Sequence, residues 1–455
     1  MARTMVLLAL GGTLACAPLD RRAPFRERSF GEGVEKIDAA IAMATSGAGG
    51  FVAGFAAIPI DAPPGVPLAG YGDRDGVASE GVRDPAFVRA FVVGAGPYQA
   101  LLFTADVLLL HSSASEEIRR RLAAEVPRER VFFTASHTHS GPGGSAPGLL
   151  FELVFGAYSE AAFEAVVSAH VEAGRRALRD LKPAAIGIGR ARVSGIIGNR
   201  VDKDGPVDDE LFVLRLEQEG GRVGALWSFA CHAVLLPPEN HRVSADYPAF
   251  VAEQLADEER PAVLGFAAGG VGSSNPRYER EEVSWFVEPL ARGLRAALMN
   301  AQSSSRRSGS IASAAAKLKS PTLRYRVSPE TMIWSPLVRS LLPVDEFPFG
   351  ALTLGNASFL FAPAEVSGAF TRAAKAQARK RGSELAIFPF NGSYYGYVVP
   401  RSIYDLEASR RTDMTDYETQ VMTFFGPYGG DLVMGLGMRL VEGVRSRARE
   451  AGAKL

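Results

Sequence analysis

Short apolar runs that alternate with amphipathic segments constrain the fold of this chain most strongly. Between residues 98 and 136 the sequence reads YQALLFTADVLLL, then contains SASEEIRRRLAAEVP, and then VFFTAS. Short apolar runs bounded by turn residues are typical of buried strands, whereas the middle segment places acidic residues early and arginines later, as helices do. Ser113 or Ser115 is placed to cap that helix. A strand, a helix and a strand in succession form the basic unit of an α/β fold.

The same alternation continues through most of the chain. Near the C-terminal end, two predicted strands, GALTL and ASFLFAPAEV, are joined by a predicted two-residue hairpin turn at Gly355-Asn356. We therefore predict an α/β fold with mixed β-sheets and flanking helices, in one large domain over residues 51–455. Residues 17–50 are polar and then alanine-rich, which predicts a linker. The Ser-, Gly- and Ala-rich stretch at 302–316 predicts a flexible surface connection.

The first sixteen residues, MARTMVLLALGGTLAC, are typical of an export signal. Arg3 precedes an apolar run that is too short to span a bilayer, and small residues precede Cys16. Thr-Leu-Ala-Cys is also similar to a lipobox, in which the cysteine is lipidated. Three alternatives stay open: a lipoprotein with peripheral membrane association through its anchor, plain secretion, and a cytoplasmic protein with a ragged N-terminus. We expect an exported protein, either periplasmic, on the outer surface or secreted.

Charge and cysteine content exclude several classes of partner and site. Fifty basic residues balance fifty acidic ones, so nothing favours a nucleic-acid partner. Cys231 is the only cysteine besides Cys16, which excludes a disulfide framework and a cysteine-based zinc site. The chain lacks the P-loop lysine and a G-x-S-x-G elbow. A metal site must therefore use histidine, carboxylate or phenolate. The sequence does not indicate an oligomeric state.

Four segments place polar side chains within or at the end of apolar runs, where a buried polar group is unusual. In VFFTASHTHSGPGG, His137 and His139 are expected to share one face at the C-terminal end of a strand. His232 interrupts the apolar run SFACHAVLL, Glu365 ends FLFAPAEV, and tyrosines crowd YYGYVVP. A buried imidazole or carboxylate needs a hydrogen-bond partner or a cation. Each segment alone has a plain explanation, namely hydrogen-bonded histidines, a paired carboxylate or aromatic packing.

Other polar residues have structural interpretations. His111 and His170 are predicted to be structural, the latter within a helix. Asp106 and Asp246 are strand-end acids that could support the histidines or a second cation, but capping or salt-bridge roles are favoured.

Taken together, the segments resemble the neutral, zinc-dependent ceramidases over roughly residues 51–430. That family's motif T-x-x-H-T-H-S-G-P-G-G is matched by residues 134–144. Further similarities follow in the same order: GYGDR at 70–74, RAFVV at 89–93, GNR at 198–200, WSFACHA at 227–233, SADYP at 244–248, FAPAEV at 361–366, GYVVP at 396–400, DYE at 416–418 and FFGP at 424–427.

The resemblance implies an amidase that cleaves the amide bond of an N-acylated lipid such as ceramide, by attack of zinc-bound water. It implies a site made of the following residues: His137, His232, Glu365 and Tyr397 as zinc ligands; His139 beside the metal, hydrogen-bonding a water or carbonyl; Arg200 facing the substrate carbonyl or the carboxylate product; and Tyr404 on the active-site wall. Nitrogen and oxygen ligands without thiolate are those of a catalytic zinc that keeps one position open.

Two departures from the family pattern bear on the substrate. The family's Gly-Asp-Val-Ser-Pro-Asn loop corresponds here to residues 272–276, with Ser273 in place of the aspartate. Asn275 stands at the position of the serine that lies near the lipid hydroxyl, and it is a candidate site residue. The chain ends shortly after FFGP, so we expect a catalytic domain without the family's C-terminal immunoglobulin-like domain.

Two other functions remain open at this point. One is a metal-dependent hydrolase of a different amide or ester. The other is a non-catalytic exported lipoprotein that uses the fold as a binding scaffold. Retention of all four candidate ligands favours an enzyme, because a scaffold gains nothing from a costly buried polar cluster.

Overall fold

A computed structural model of the protein describes residues 15–18, 28–257, 259–277, 282–321, 324–328, 330–334, 346–404, 406 and 417–453. Most of the predicted export signal lies outside these residues, so export stays a prediction. In the described part the helices are α1 (Arg28–Ala42), α2 (Ser112–Arg121), α3 (Leu149–Phe155), α4 (Glu160–Arg179), α5 (Tyr247–Glu253), α6 (Ser284–Ser303), α7 (Gly368–Lys380), α8 (Arg401–Tyr404) and α9 (Gly429–Gly452).

Within the described residues, the strands form one large mixed sheet and three small ones. In chain order they are β1 (Ala15–Pro18), β2 (Thr45–Pro59), β3 (Phe87–Ala95), β4 (Tyr98–Ala105), β5 (Val131–Ala135), β6 (Lys182–Arg192), β7 (Ile197–Asn199), β8 (Glu210–Gln218), β9 (Val223–Phe229), β10 (Val263–Ala268), β11 (Ser274–Pro276), β12 (Ser308–Lys319), β13 (Tyr325–Ser328), β14 (Thr331–Trp334), β15 (Glu346–Leu354), β16 (Ala357–Phe361), β17 (Glu365–Val366), β18 (Glu384–Phe388) and β19 (Tyr397–Val398).

The long strand β2 is the branch point of the large sheet. Its first residues pair with β12, its later residues pair with β3, and Ala53 and Val52 also pair with β6. One branch runs β6-β8-β9-β10, another runs β3-β4-β5, and the third runs β12-β15-β16-β18. Within the large sheet, the pairs β4/β5, β9/β10 and β16/β18 are parallel and the other pairs are antiparallel. The predicted α/β fold with mixed sheets is confirmed.

Close packing brings the ends of strands from different branches together. Strand β10 lies against β3 and β4, where the Thr104 hydroxyl donates to the Phe266 carbonyl. A Cβ on Gly265 would lie only 2.9 Å from the Phe91 ring, so the strands approach closely because this residue has no side chain. As a result, the chain segments that follow β5 and β10 emerge near each other.

Helices cover the sheet on its outer faces. Helix α4 packs on β2 and β3, α6 packs on β6 and β8, and α9 packs on β12 and β15 together with α1. The predicted hairpin is also confirmed, since β15 and β16 are joined through Gly355 and Asn356. Among the described helices, none combines the length and the apolar composition needed to cross a membrane.

Two segments that composition predicts as irregular are regular in the structure. Residues 28–50 of the predicted linker form α1 and the start of β2, and Ile37 is fully buried against the core. Residues 308–316 of the predicted surface connection belong to β12, which lies inside the large sheet. These predictions were wrong because small residues also suit a strand packed closely on both faces. Ala312 and Ala314 are both buried among α1, α9 and β15.

The predicted cap of α2 is also corrected. The cap is His111, whose Nδ1 accepts the hydrogen bond of the Ser113 backbone N–H at 3.2 Å, rather than a serine side chain. This contact accords with a structural role for His111. Asp246 caps α5 through the Tyr247 N–H at 2.7 Å, and Asp106 is paired with Arg89 at 2.7 Å. These two acids therefore have the capping and salt-bridge roles that the sequence favours.

Helix α6 packs directly against the backbone of β6 because glycines there have no side chains. Substitution of one of these glycines tests the packing. A Cβ on Gly189 would overlap the Ala297 carbonyl oxygen of α6. We expect Gly189→Ala to lower the free energy of unfolding by at least the ~1–3 kcal/mol typical of overpacking. The matched control is Gly50→Ala, where a Cβ meets nothing within 4 Å. Denaturant unfolding that shows equal stabilities for the two variants would contradict this packing.

Candidate metal centre

The first candidate ligand, His137, lies in a turn that follows β5. The strand ends at Ala135, and His137 has a φ of 58°, a left-handed conformation that is uncommon outside glycine. Its backbone N–H donates to the Val107 carbonyl and its Nδ1–H donates to the Leu108 carbonyl at 2.8 Å. The expected strand geometry of the two histidines is therefore wrong, although their rings do lie together, with centroids 5.1 Å apart.

His232 is held in a similar way after the end of β9. Both its backbone N–H and its Nδ1–H are directed at the Ser274 carbonyl, at 3.1 and 2.9 Å. A parallel bridge between Thr138 and Ala233 ties this segment to the one that contains the other histidines. The centroids of the His137 and His232 rings are 5.1 Å apart. The structure thus brings these two predicted ligands together.

Glu365 and Tyr397 are direct partners in the small parallel sheet of β17 and β19. This pairing sets both side chains beside the histidines. The Glu365 Oε1 atom lies 2.7 Å from His232 Nε2 and 3.4 Å from His137 Nε2. The Tyr397 hydroxyl oxygen lies 3.3 Å from His232 Nε2. All four predicted ligands therefore converge on one buried point.

The donor atoms of this cluster fit a divalent cation. Because the Nδ1 atom of each ring is hydrogen-bonded to a backbone carbonyl, the Nε2 atoms of His137 and His232 face the Glu365 carboxylate. Burial, reinforced by Arg200, lowers the pKa of His232 to about 4, so an imidazolium is disfavoured there. Burial acts to raise the pKa of Glu365, but the nearby histidines outweigh it and hold this pKa well below its usual range. Two imidazole nitrogens and a carboxylate at one buried point are donors of the kind that bind a divalent metal ion.

His139 is the third histidine of the cluster. Among the described residues, neither of its buried ring nitrogens has a hydrogen-bond partner. Its ring packs on Gly70, where a Cβ would come within 2.7 Å, and on the edge of Tyr71, whose centroid is 4.8 Å away. Burial lowers the pKa of His139 well below its usual value, and the two neighbouring histidines add to this effect. One ring nitrogen from each of His137, His139 and His232 lies within 4.8 Å of the others, so these three could also hold a metal.

Arg200 borders the cluster. Its Nη2 donates to the Tyr397 oxygen at 2.7 Å, and its Nη1 donates to Asn275 Oδ1 at 3.3 Å. Asn275 lies on β11, which pairs with β7 just before the arginine. Tyr404 is the last residue of α8, and its side chain lies outside the described residues, so its role stays a prediction.

Sequence reasoning missed three residues that contact this cluster. The Tyr394 hydroxyl donates to Glu365 Oε2 at 3.0 Å, and the Phe390 ring stacks on His137 with centroids 4.4 Å apart. Glu418 accepts from Arg200 Nε at 2.6 Å. The tyrosine-rich segment and the DYE triplet were both visible in the sequence, but nothing local to either segment indicates these contacts.

Comparison with known proteins shows that part of this chain is similar to ceramidases. Residues 61–282 match the sequence profile described as neutral/alkaline non-lysosomal ceramidase, N-terminal. A neutral ceramidase of Mycobacterium tuberculosis is 30% identical over 206 residues, which cover 41% of this chain and 32% of that protein. A neutral ceramidase of Pseudomonas aeruginosa is 25% identical over 217 residues, covering 43% of this chain and 32% of that protein. Over residues 61–282, just under half of its length, the chain is therefore similar to the neutral/alkaline non-lysosomal ceramidase family.

Solved structures show the same fold over a longer part of the chain. The crystal structure of neutral ceramidase from Pseudomonas aeruginosa superposes with a TM-score of 0.70 at 18% identity, covering 88% of this chain and 75% of that one. A structure of a ceramidase complexed with C2 has the same score and identity, covering 76% of that chain. The matches to the two curated ceramidases, by contrast, span about a third of their lengths.

The contact of Tyr394 with Glu365 predicts a measurable effect on the metal centre. Removing the hydroxyl in Tyr394→Phe frees Oε2, so the carboxylate loses its fixed orientation. We expect metal affinity to fall by ~10-fold or more, as for other residues that support a ligand. Competition with a chromophoric chelator measures this affinity. The control is Tyr395→Phe, whose ring packs instead on Phe347 and Phe425; equal affinities in both variants would contradict the orienting role.

Proposed function

We propose that this protein is a zinc-dependent hydrolase that cleaves the amide bond of an N-acylated lipid such as ceramide. The observation that carries the proposal is the convergence of His137, His232, Glu365 and Tyr397 on one buried point. Similarity to the ceramidase family over residues 61–282 supports the substrate class. A solved structure with a similar fold is described as a ceramidase complexed with C2. That description also fits a lipid amide as the substrate.

Zinc is the metal that this set of donors suits best. It accepts imidazole nitrogen and carboxylate oxygen, and a catalytic zinc keeps one coordination position for a reacting group. Burial raises the pKa of the Tyr397 phenol well above its usual value, with Arg200 partly offsetting it. Tyr397 is therefore the donor that depends most on the charge of the cation. When bound, zinc would polarise the scissile carbonyl and lower the pKa of the attacking water to ~7.

The remaining steps fall to residues of the chain. Hydrolysis joins a water oxygen to the carbonyl carbon, breaks the C–N bond, and needs one proton delivered to the leaving amine. His139 is placed to move that proton, because its ring lies beside those of His137 and His232 and its ring nitrogens have no hydrogen-bond partner among the described residues. Arg200, beside Tyr397, is placed to stabilise the charge that develops on the carbonyl oxygen and then the carboxylate product.

Asn275 and Tyr404 complete the proposed substrate side of the site. Asn275 stands where the family has a serine near the lipid hydroxyl, and here its Oδ1 accepts from Arg200. We assign Tyr404 to the wall of the site from the family resemblance. Export of the protein, with or without an anchor at Cys16, is part of the same proposal.

Metal content and hydrolysis measured on the same samples test the proposal. We expect about one zinc per chain in the wild type, as in a single catalytic site. In His137→Ala and Glu365→Ala we expect loss of the zinc together with hydrolysis of a fluorescent N-acyl sphingosine. The control is His241→Ala, because His241 lies on the surface beside Glu80 and should keep both properties.

Each result of this experiment separates two alternatives. Zinc in the wild type without hydrolysis of the ceramide probe would sink the proposed substrate and favour a different amide or ester. A wild type that binds no zinc would remove the mechanism and leave the binding scaffold.

Substitution of His139 should lower the rate of the reaction more than it lowers zinc binding. We expect His139→Ala to retain zinc while kcat falls by ~10²–10⁴-fold, the usual contribution of a positioned acid or base. Zinc analysis and steady-state kinetics on the same protein check this outcome. If His139 is instead a ligand, as its distance to the other histidines allows, the variant loses zinc in parallel with activity.

A further inference from the structure

Glu418 is a completely buried carboxylate to which the steps above give no role. It lies on a short π-helix, Tyr417–Val421, and its side chain is 0% exposed. Its Oε1 accepts from Arg200 Nε at 2.6 Å and from the Ser273 backbone N–H at 2.9 Å. Its Oε2 accepts from the Ser273 hydroxyl at 2.6 Å. A buried carboxylate with both oxygens bonded in this way is held in one orientation.

Ser273 is shaped to hold this carboxylate. It has a φ of 64° in the turn after β10, a conformation that points its N–H and its hydroxyl at the same acceptor. Its own carbonyl oxygen accepts from the Arg200 backbone N–H at 3.0 Å. Ser273 therefore contacts both members of the ion pair, and the next residue, Ser274, orients His232. The turn connects the ion pair to the metal centre.

The ion pair sets the direction of the arginine side chain. A guanidinium is planar and rigid, so fixing its Nε also fixes where its two terminal nitrogens point. With Nε held by Glu418, Nη2 is directed at the Tyr397 oxygen at 2.7 Å and Nη1 at Asn275. Loss of the carboxylate would leave a buried arginine free to turn away from the tyrosine.

We propose that Glu418, locked by Ser273, is a positioning residue that holds the Arg200 guanidinium against the oxygen of the metal ligand Tyr397. It acts through the arginine and does not itself touch the metal or the substrate. This inference rests on the proposed function, because it assigns a role to Tyr397 at the metal. It extends that function by adding two residues, from two distant segments, on which ligand geometry depends.

The test compares wild type, Glu418→Gln, Ser273→Ala and the double variant. Zinc affinity is measured by competition with a chromophoric chelator, and kcat and KM are measured with the fluorescent N-acyl sphingosine. We expect Glu418→Gln to weaken zinc binding by ~10–100-fold, the range found for residues that support a ligand. We expect kcat to fall by more than KM rises, because the arginine is needed most as charge develops. Ser273→Ala should give a smaller loss of both, and the double variant should match Glu418→Gln.

A matched control separates positioning from stability. Glu210→Gln makes the same chemical change at a largely buried carboxylate that is bonded to Arg379 at 2.8 Å, on the side of the sheet covered by α7. Both Gln variants should lower the thermal unfolding temperature, but only Glu418→Gln should lower zinc affinity.

Three results would overturn the inference. The first is a Glu418→Gln protein with a lower unfolding temperature but unchanged zinc affinity and kcat. The second is additive losses in the double variant, because Ser273 would then act independently of Glu418. The third is a wild type that binds no zinc. That result would contradict the proposed function as well. It differs from the other two results because it is measured on the wild type and not on a variant.

Discussion

The buried carboxylate of Glu365 is the constraint on which the rest of the site depends. Its side chain is 2% exposed, and a negative charge in such a place is costly unless opposite charge or donors surround it. One oxygen faces the histidines and the other accepts from Tyr394. The pairing of β17 with β19 then places Tyr397 beside it. The Nε2 atoms of two imidazoles face the same point, so this set of donors could hold a cation between them.

The large sheet makes this convergence possible. His137, His232 and Glu365 each lie a few residues beyond the end of a strand, after β5, β9 and β16. Backbone carbonyls near these points orient the side chains: that of Leu108, which follows β4, binds His137, and that of Ser274, the first residue of β11, binds His232. Rigid strands therefore fix where the turns begin, and main-chain hydrogen bonds within the turns fix the tautomer of each histidine.

Local sequence patterns predicted the fold better than they predicted the site. Apolar runs such as VFFTA indicate buried strands, and the Gly-Asn pair indicates a hairpin turn. Strands and helices could therefore be placed along the chain. The alanine-rich β12 could not, because small side chains indicate flexibility and close packing equally well. The candidate ligands came from the resemblance to a family, whereas the contacts of Glu418 could not be predicted. Its partners Arg200 and Ser273 lie 218 and 145 residues away, and no local pattern reports such pairings.

In the function that we propose, histidine nitrogen together with carboxylate and phenolate oxygen holds one zinc ion. X-ray absorption spectroscopy at the zinc edge of the purified protein tests this most directly. The account predicts a first shell of nitrogen and oxygen at ~2.0–2.2 Å, with the outer-shell scattering of two imidazoles and no sulfur. In His139→Ala the imidazole scattering should stay the same. A spectrum that requires three imidazoles and loses one in that variant would contradict the proposed ligand set, and a protein without bound zinc would contradict the account itself.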